Sequence, residues 1–260
     1  MRDFEWLTSR VKRALLPAPP LEWRAGYTSW ADALSHSAGY DERDTLTAAI
    51  AATRDVVEGR AAYERDGVTF SEIQYSWPLL ASLLYIASEA DSLRVVDVGG
   101  ALGSTYRQNR SMLVAVPEIR WMVVEQPAVA RAGAAEFASD ELSFTSDMAN
   151  ALEAGADLAL FGSSLCYLPD PAAYLRDVTD SGIRFLALDR TPFIAEVDHE
   201  ITVQHVRMHG RETSYPCWRF ATKRFEDEVS VEWRQVLRWE CDLQPDPAAI
   251  NRGYLFERRT

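Results

Sequence analysis

The chain has 260 residues, 47% of them hydrophobic and 25% charged, which is enough for one large domain or one domain with an appendage. Its 39 Asp and Glu outnumber 27 Lys and Arg, and the formal charge of −12 opposes contact with phosphate backbones and anionic lipid surfaces, so no nucleic acid partner is expected. Cys166, Cys217 and Cys241 stand far apart with no CxxC, which argues against a disulfide framework and a structural zinc site and makes a reducing cytoplasm the expected compartment. No apolar run approaches the ~20 residues of a membrane helix, and the first residues lack a signal-peptide pattern, so neither export nor integral membrane contact is expected.

Phe4, Leu7, Val11 and Leu15 recur at helical spacing and predict a short amphipathic helix, read as docked on its own domain, before Pro17, Pro19 and Pro20 stop it. From Trp30 to about Ala90 the chain is rich in Ala, Leu, Glu and Arg with helical periodicity, and turn signals at 37–41 and 65–67 divide it. This segment is expected to be all helix, and residues 1–90 to form a helical cap. The pattern then changes to short apolar runs alternating with helices: Arg94 to Val98, Trp121 to Glu125, Asp157 to Gly162 and Phe185 to Asp189. Such runs predict βαβ units and a parallel sheet covered on both faces. Two further strands are expected at 201–206 and 216–220, in an insertion at 201–220, then a helix at 223–229 and closing strands at 233–241 and 254–257.

The sharpest local signal is Val95-Val96-Asp97-Val98-Gly99-Gly100-Ala101-Leu102-Gly103-Ser104, a buried strand entering a glycine-rich turn and a helix. Glycine there lets a ligand approach the backbone closely. The G-x-G-x-x-G fingerprint of nicotinamide binding fails, because counting from Gly99 its second and third glycines are Ala101 and Ser104. Asp97-x-Gly99-x-Ala101-x-Gly103 instead resembles motif I of S-adenosylmethionine-dependent methyltransferases with Rossmann-like folds; a purely structural tight turn is the plain alternative. Glu125 ends the next predicted strand, 28 positions after Asp97. An ionised carboxylate there offers two acceptor oxygens to both hydroxyls of a cofactor ribose.

The segments Gly26-Tyr27-Thr28-Ser29-Trp30, Ala62 to Asp66, Tyr75 to Leu80, Gly103 to Arg110, Val124-Glu125-Gln126-Pro127, Asp189 to Phe193 and Ser214 to Trp218 together resemble a bacterial family of class I S-adenosylmethionine-dependent methyltransferases, some of them associated with surface-polysaccharide or secondary-metabolite pathways. The likeness spans nearly the whole chain after about residue 23. It implies an α/β, Rossmann-like, seven-stranded and mostly parallel sheet over residues 91–260, with S-adenosylmethionine held by Asp97, Gly99, Gly100, Ala101, Gly103, Glu125, Gln126, Ser146, Asp147, Ser163 and Ser164. Ser146-Asp147 would meet the adenine, and Ser163-Ser164 would open the loop before Tyr167-Leu168-Pro169-Asp170-Pro171.

The acceptor, taken to be a small or carbohydrate-like molecule, is expected beyond the strand tips, because open α/β sheets bind ligands there. Asp189, Arg190, His205 and Tyr215 are the candidates for catalysis, and Tyr75, Trp77, Tyr106, Asn109 and Tyr167 for the acceptor pocket. Core packing is the plain reading of each aromatic taken singly, and a structural pair is that of Asp189 with Arg190. Cys166 reads as a packing residue. His199, His205 and His209 raise a metal reading, but 201–206 alternates like a strand and no carboxylate completes a ligand set, so no metal is expected. Two alternatives to methyl transfer stand beside it. In one, the methionine amine attacks its own γ-carbon, giving azetidine-2-carboxylate and methylthioadenosine; in the other the chain is a non-catalytic S-adenosylmethionine-binding module.

Overall fold

The computed structural model describes residues 22–39, 42–208 and 211–259. The helix expected at 4–16 and His209 lie outside them. In chain order the elements are β1 (Glu22–Tyr27), α1 (Trp30–Ser35), α2 (Glu42–Val57), β2 (Tyr63–Arg65), β3 (Val68–Phe70), α3 (Trp77–Ala90), β4 (Ser92–Val98), α4 (Ser104–Arg110), β5 (Glu118–Val124) and α5 (Pro127–Glu136). After these come β6 (Leu142–Thr145), α6 (Met148–Glu153), β7 (Leu158–Gly162), a 3-10 turn (Leu165–Tyr167), α7 (Pro171–Asp180), β8 (Phe185–Ile194), β9 (Glu200–Met208), β10 (Arg211–Ala221), α8 (Thr222–Val229), β11 (Trp233–Glu240) and β12 (Ile250–Arg258).

Seven strands form the Rossmann-like core, in the order β6-β5-β4-β7-β8-β12-β11. The first five are parallel; β12 runs against β8, and β11, antiparallel to β12, returns to the common direction. Alternation along the strands supplies both faces. Val96, Val98, Phe161, Leu186 and Leu188 pack towards α6, α7 and α8, whereas Leu93, Val95, Trp121, Leu160 and Ala187 pack towards α3. The strand runs read from sequence therefore lie where a doubly covered parallel sheet needs them.

The sheet extends beyond seven strands. Past the last β7 pair, Gly162 with Asp189, β8 exchanges partners: Phe193 and Ile194 pair with Phe220 and Ala221 of β10 on the edge that β7 has left. β10 then pairs antiparallel with β9, and β9 with β1, giving ten strands. Within the stretch expected as an insertion, the described residues 201–208 and 211–220 belong to β9 and β10 of this ribbon.

The all-helical reading of residues 30–90 is corrected. Asp66 and Gly67, both with positive φ, form the two-residue turn of the β2–β3 hairpin, which packs on α2 and α4. Asp-Gly between β-forming Tyr63, Val68 and Phe70 is a strong hairpin signal, and here it outweighs the surrounding helical composition.

Candidate functional site

The tips of β4, β5, β7 and β8 meet at a switch in strand order: β4 leads to β5 on one edge, and the chain returns from β6 to β7 on the other edge of β4. This switch in strand order opens the crevice in which α/β sheets hold ligands. Backbone strain gathers around it. Of the five non-glycine residues with left-handed backbone among the described residues, Ala101, Ser163 and Arg190 are at the tips of β4, β7 and β8, and Asp66 is on the neighbouring hairpin. Such conformations persist where surrounding contacts over-determine them, and they cluster at functional sites.

The glycine turn is built to close tolerances. Gly99 has φ +73° and donates its N–H to the Val124 carbonyl at 2.8 Å; a Cβ there would come within 2.5 Å of the Ser164 side chain. Ser164 is buried and donates its hydroxyl to the Val98 carbonyl, so the β7 loop is fastened to the end of β4. Beneath Gly100 lies Asp97, wholly buried, where an added Cβ would stand 2.5 Å from its carboxylate. Asp97 Oδ2 accepts the Trp121 indole N–H at 3.0 Å and Oδ1 has no partner. Burial pushes this carboxyl up to about 7. Asp97 thus supports the turn from below, screened by Gly100.

Glu125 follows β5. Its Oε1 accepts the Ala101 N–H at 3.1 Å and its Oε2 the Gln126 N–H at 2.9 Å, which holds the carboxylate across the turn. Burial raises its pKa, against the two backbone donors. Gln126 is exposed at the cap of α5, Gly103 caps α4 with φ +87°, and Ser163 donates its N–H to the Asp189 carbonyl at 2.8 Å. Ser146 and Asp147 are exposed after β6, where the Asp147 carboxylate caps α6 by accepting the Asn150 N–H at 3.0 Å.

Asp189 and Arg190 are neighbours in β8, and regular strand geometry would send them to opposite faces. A bulge opposite Gly253 and a left-handed Arg190, φ 51°, turn them together, so that Arg190 Nη1 donates to Asp189 Oδ2 at 2.9 Å. Asp189 Oδ1 accepts the Trp239 indole N–H at 3.0 Å, the Ser76 hydroxyl at 3.2 Å and the Cys241 thiol at 3.7 Å. The carboxylate is saturated by protein donors and anchors the tip of β8, which fits the structural pair and not a free base. For Arg190, burial works to lower the pKa, and the Asp189 charge, with Tyr63 and Asp66 beyond it, outweighs burial and raises it.

The structure separates other residues grouped from sequence. Opposed residues of an antiparallel pair share a face, and His205 opposes Ser214 whereas Gln204 opposes Tyr215. Tyr167 donates its hydroxyl to Gln204 Oε1 at 2.9 Å and meets Tyr215 edge-on at 5.3 Å, which puts Tyr215 on the face towards the β7 loop. Ser214 Oγ accepts the Ala38 N–H, and Val203, two positions before His205, packs against Ala33 of α1, so His205 is on the opposite face, beside the α1 region. His205 and Tyr215 therefore cannot serve one chamber.

Tyr106 donates its hydroxyl to Glu141, just before β6, and so points to the amino-terminal edge of the sheet. Asn109 is buried and bonds back to the Thr105 carbonyl of its own helix. Tyr75 reaches Ser111 and stacks on the exposed Trp77; Ser76 between them is the residue that meets Asp189. Cys166 and Cys217 are buried free thiols, and a hydrogen bond between them together with burial keeps the Cys217 thiol well above its ordinary range, as packing residues require. Among the described residues no group of three or more His, Cys, Asp and Glu could hold a metal ion, and no helix is long and apolar enough to cross a membrane.

The sequence reading missed Ser76, Gln204, Trp239 and Glu64, whose carboxylate accepts the Ser104 hydroxyl. Each is brought to the site by a long-range contact. Glu64 and Ser76 fall within the segments 62–66 and 75–80 that carry the family resemblance, whereas no local signal marked Gln204 or Trp239.

No family model and no curated protein matches the chain. Among solved structures, the N-terminal domain of EvdMO1, determined in the presence of S-adenosylhomocysteine and D-fucose, is 15% identical; the match covers 85% of this chain and 98% of that one, with a TM-score of 0.50. An amino pentose methyltransferase from Micromonospora echinaspora, solved with S-adenosylmethionine, is 12% identical over 71% of this chain and 92% of its own, with a TM-score of 0.46. The N-methyltransferase NodS from Bradyrhizobium japonicum WM9 is 12% identical over 71% and 96%, with a TM-score of 0.43. By its strand order and its likeness to the N-terminal domain of EvdMO1, the chain has a Rossmann-like α/β fold.

Proposed function

We propose that the chain is an S-adenosylmethionine-dependent methyltransferase acting on a small-molecule or carbohydrate-like acceptor. The observation that carries this reading is the pairing of the Gly99–Gly103 turn with Glu125 at the switch in strand order. Ala101 and Gln126 hold the carboxylate beside the turn, where its remaining lone pairs suit a ribose diol. Gly99, Gly100, Ala101 and Gly103 keep the floor of the crevice free of bulky side chains. Asp97 supports that floor, Ser163 and Ser164 close its β7 side, and Gln126, Ser146 and Asp147 lie on the adenine side. When bound, the cofactor supplies an already activated methyl group. The protein's tasks are then to hold the acceptor in line and to exclude water.

The segment from the β2–β3 hairpin to Ser76 suits the second task. Tyr63 and Asp66 are within electrostatic reach of Arg190, and Ser76 bonds Asp189, so the segment lies over the tips of β4 and β8. We place the cover in the described part of residues 1–90 and the acceptor between it and the β9–β10 ribbon. Tyr167, Tyr215 and Gln204 there offer aromatic faces and an amide, chemistry matched to a compact polar molecule; the net charge of −12 opposes a polyanion.

Titration calorimetry with S-adenosylmethionine, S-adenosylhomocysteine and NAD tests the cofactor. The first two are expected to bind, and Glu125→Ala to weaken both by about tenfold or more for each ribose hydrogen bond lost to the charged acceptor. Binding of NAD alone would refute the assignment. Product analysis tests the reaction: S-adenosylhomocysteine is expected, and methylthioadenosine would show that the methyl group is not what is transferred.

A further inference from the structure

Glu64 is a charged side chain that the reaction described above does not use. It is 3% exposed, on β2 of the hairpin covering the strand tips. One carboxylate oxygen accepts the hydroxyl of Ser104, the first residue of α4 and the neighbour of Gly103; the Gly67 backbone N–H also donates to the group. The cation in its field is Arg107, which is not its hydrogen-bond partner: the Arg107 Nε and Nη2 atoms are buried without any partner. Glu64 is thus a buried carboxylate held only by a hydroxyl and an amide. Burial raises its pKa accordingly. A buried carboxylate with no cation hydrogen-bonded to it is unfavourable, and an ammonium delivered by a ligand would bond to it directly.

The ligand class follows from position. Gln108 donates its amide to the Gln74 carbonyl, and Ser76 donates to Asp189, so the chain from Glu64 to Ser76 is fastened to α4 and β8 around the glycine turn. Glu125 bonds the glycine turn at Ala101 and Glu64 bonds it at Ser104, so a nucleoside whose ribose is at Glu125 has Glu64 at the other end of the same turn. Resting on the cofactor reading above, we infer that Glu64 binds the α-ammonium group at the amino-acid end of S-adenosylmethionine, with Ser104 and Gly67 orienting the carboxylate. An α-ammonium brings three donors and a full charge, whereas Ser104 and Gly67 leave lone pairs on the carboxylate unused.

The test compares wild type and Glu64→Gln by calorimetry with S-adenosylhomocysteine, which carries the ammonium, and 5′-methylthioadenosine, which shares the adenosine and sulfur but lacks the amino acid. Glu64→Gln keeps the shape and removes the charge. Its affinity for S-adenosylhomocysteine is expected to fall about tenfold or more while that for 5′-methylthioadenosine stays unchanged. Unchanged S-adenosylhomocysteine binding, or an equal fall for both probes, overturns the inference and leaves the cofactor reading standing. A wild type that binds neither probe overturns both. Should Glu64→Gln lower the melting temperature, Glu64→Asp, which keeps the charge on a shorter arm, must bind S-adenosylhomocysteine more tightly than Glu64→Gln; equal binding by the two overturns the inference as well.

Discussion

Asp97 is wholly buried under Gly100, with one oxygen bonded to Trp121 and the other without a partner. Burial, with a smaller contribution from the nearby Glu125 charge, pushes its carboxyl from 3.8 to about 7, against the Trp121 bond and Arg190. The unfolded chain therefore releases this proton near pH 4, whereas the folded chain holds it to near neutrality. A folded pKa raised above the unfolded one contributes stability that is fully present below about pH 4 and is lost as pH rises towards 7. Three units of difference, at about 1.4 kcal/mol each, amount to about 4 kcal/mol. Asp97→Asn keeps an acceptor for the indole and cannot titrate. Urea denaturation of both proteins at intervals from pH 4 to 8 isolates the residue, because the other carboxylates cancel in the difference. Wild-type stability relative to Asp97→Asn is expected to fall by about 4 kcal/mol across that window, with a limiting slope of about 1.4 kcal/mol per pH unit. A difference that stays flat would refute the reasoning and would mean that water or a rearranged partner reaches the second oxygen.

Gly99→Ala meets both a left-handed backbone and a contact 2.5 Å from Ser164, whereas Gly155→Ala has the same φ class with nothing within 4 Å. Gly155→Ala should cost about 1 kcal/mol and Gly99→Ala about 1–3 kcal/mol more, with cofactor binding lost; equal losses in thermal denaturation would show that the β7 loop yields. Asp246→Ala strands Arg219, whose side chain is 7% exposed and bonded to Asp246 at 2.6 and 2.9 Å. Glu200 remains 2.8 Å from the guanidinium, so the loss in chemical denaturation should lie near the lower end of about 3–5 kcal/mol. His205→Ala is expected to keep cofactor affinity and turnover within about twofold, since its ring is across the ribbon from Tyr167. Gln204→Ala should raise the acceptor KM; the opposite pattern would put the acceptor on the α1 side.

Local pattern was sufficient for much of this molecule. Apolar runs of Val and Leu, each ending at a turn, marked β4, β5, β7 and β8 because a strand covered on both faces has no polar position to spare. The Asp97-x-Gly99-x-Ala101-x-Gly103 turn and Glu125 could be located because a backbone that must admit a ligand restricts residue type within a few positions. Contacts between distant segments left no such trace. That Asp189 and Arg190 face one another depends on a bulge set by Gly253 and Trp239 across the sheet. That His205 and Tyr215 diverge depends on the register of β9 against β10, where a slip of one residue would exchange their faces. Glu64 reaches Ser104 across forty positions because α2 and α4 hold the hairpin over the glycine turn. The sequence by itself determined β4, β5, β7 and β8, the glycine turn and the acid beside it, since each is written within one short segment. Which side chains share the crevice was decided only by the tertiary structure, because strand parity, register and one left-handed residue orient them, and these are properties of paired segments.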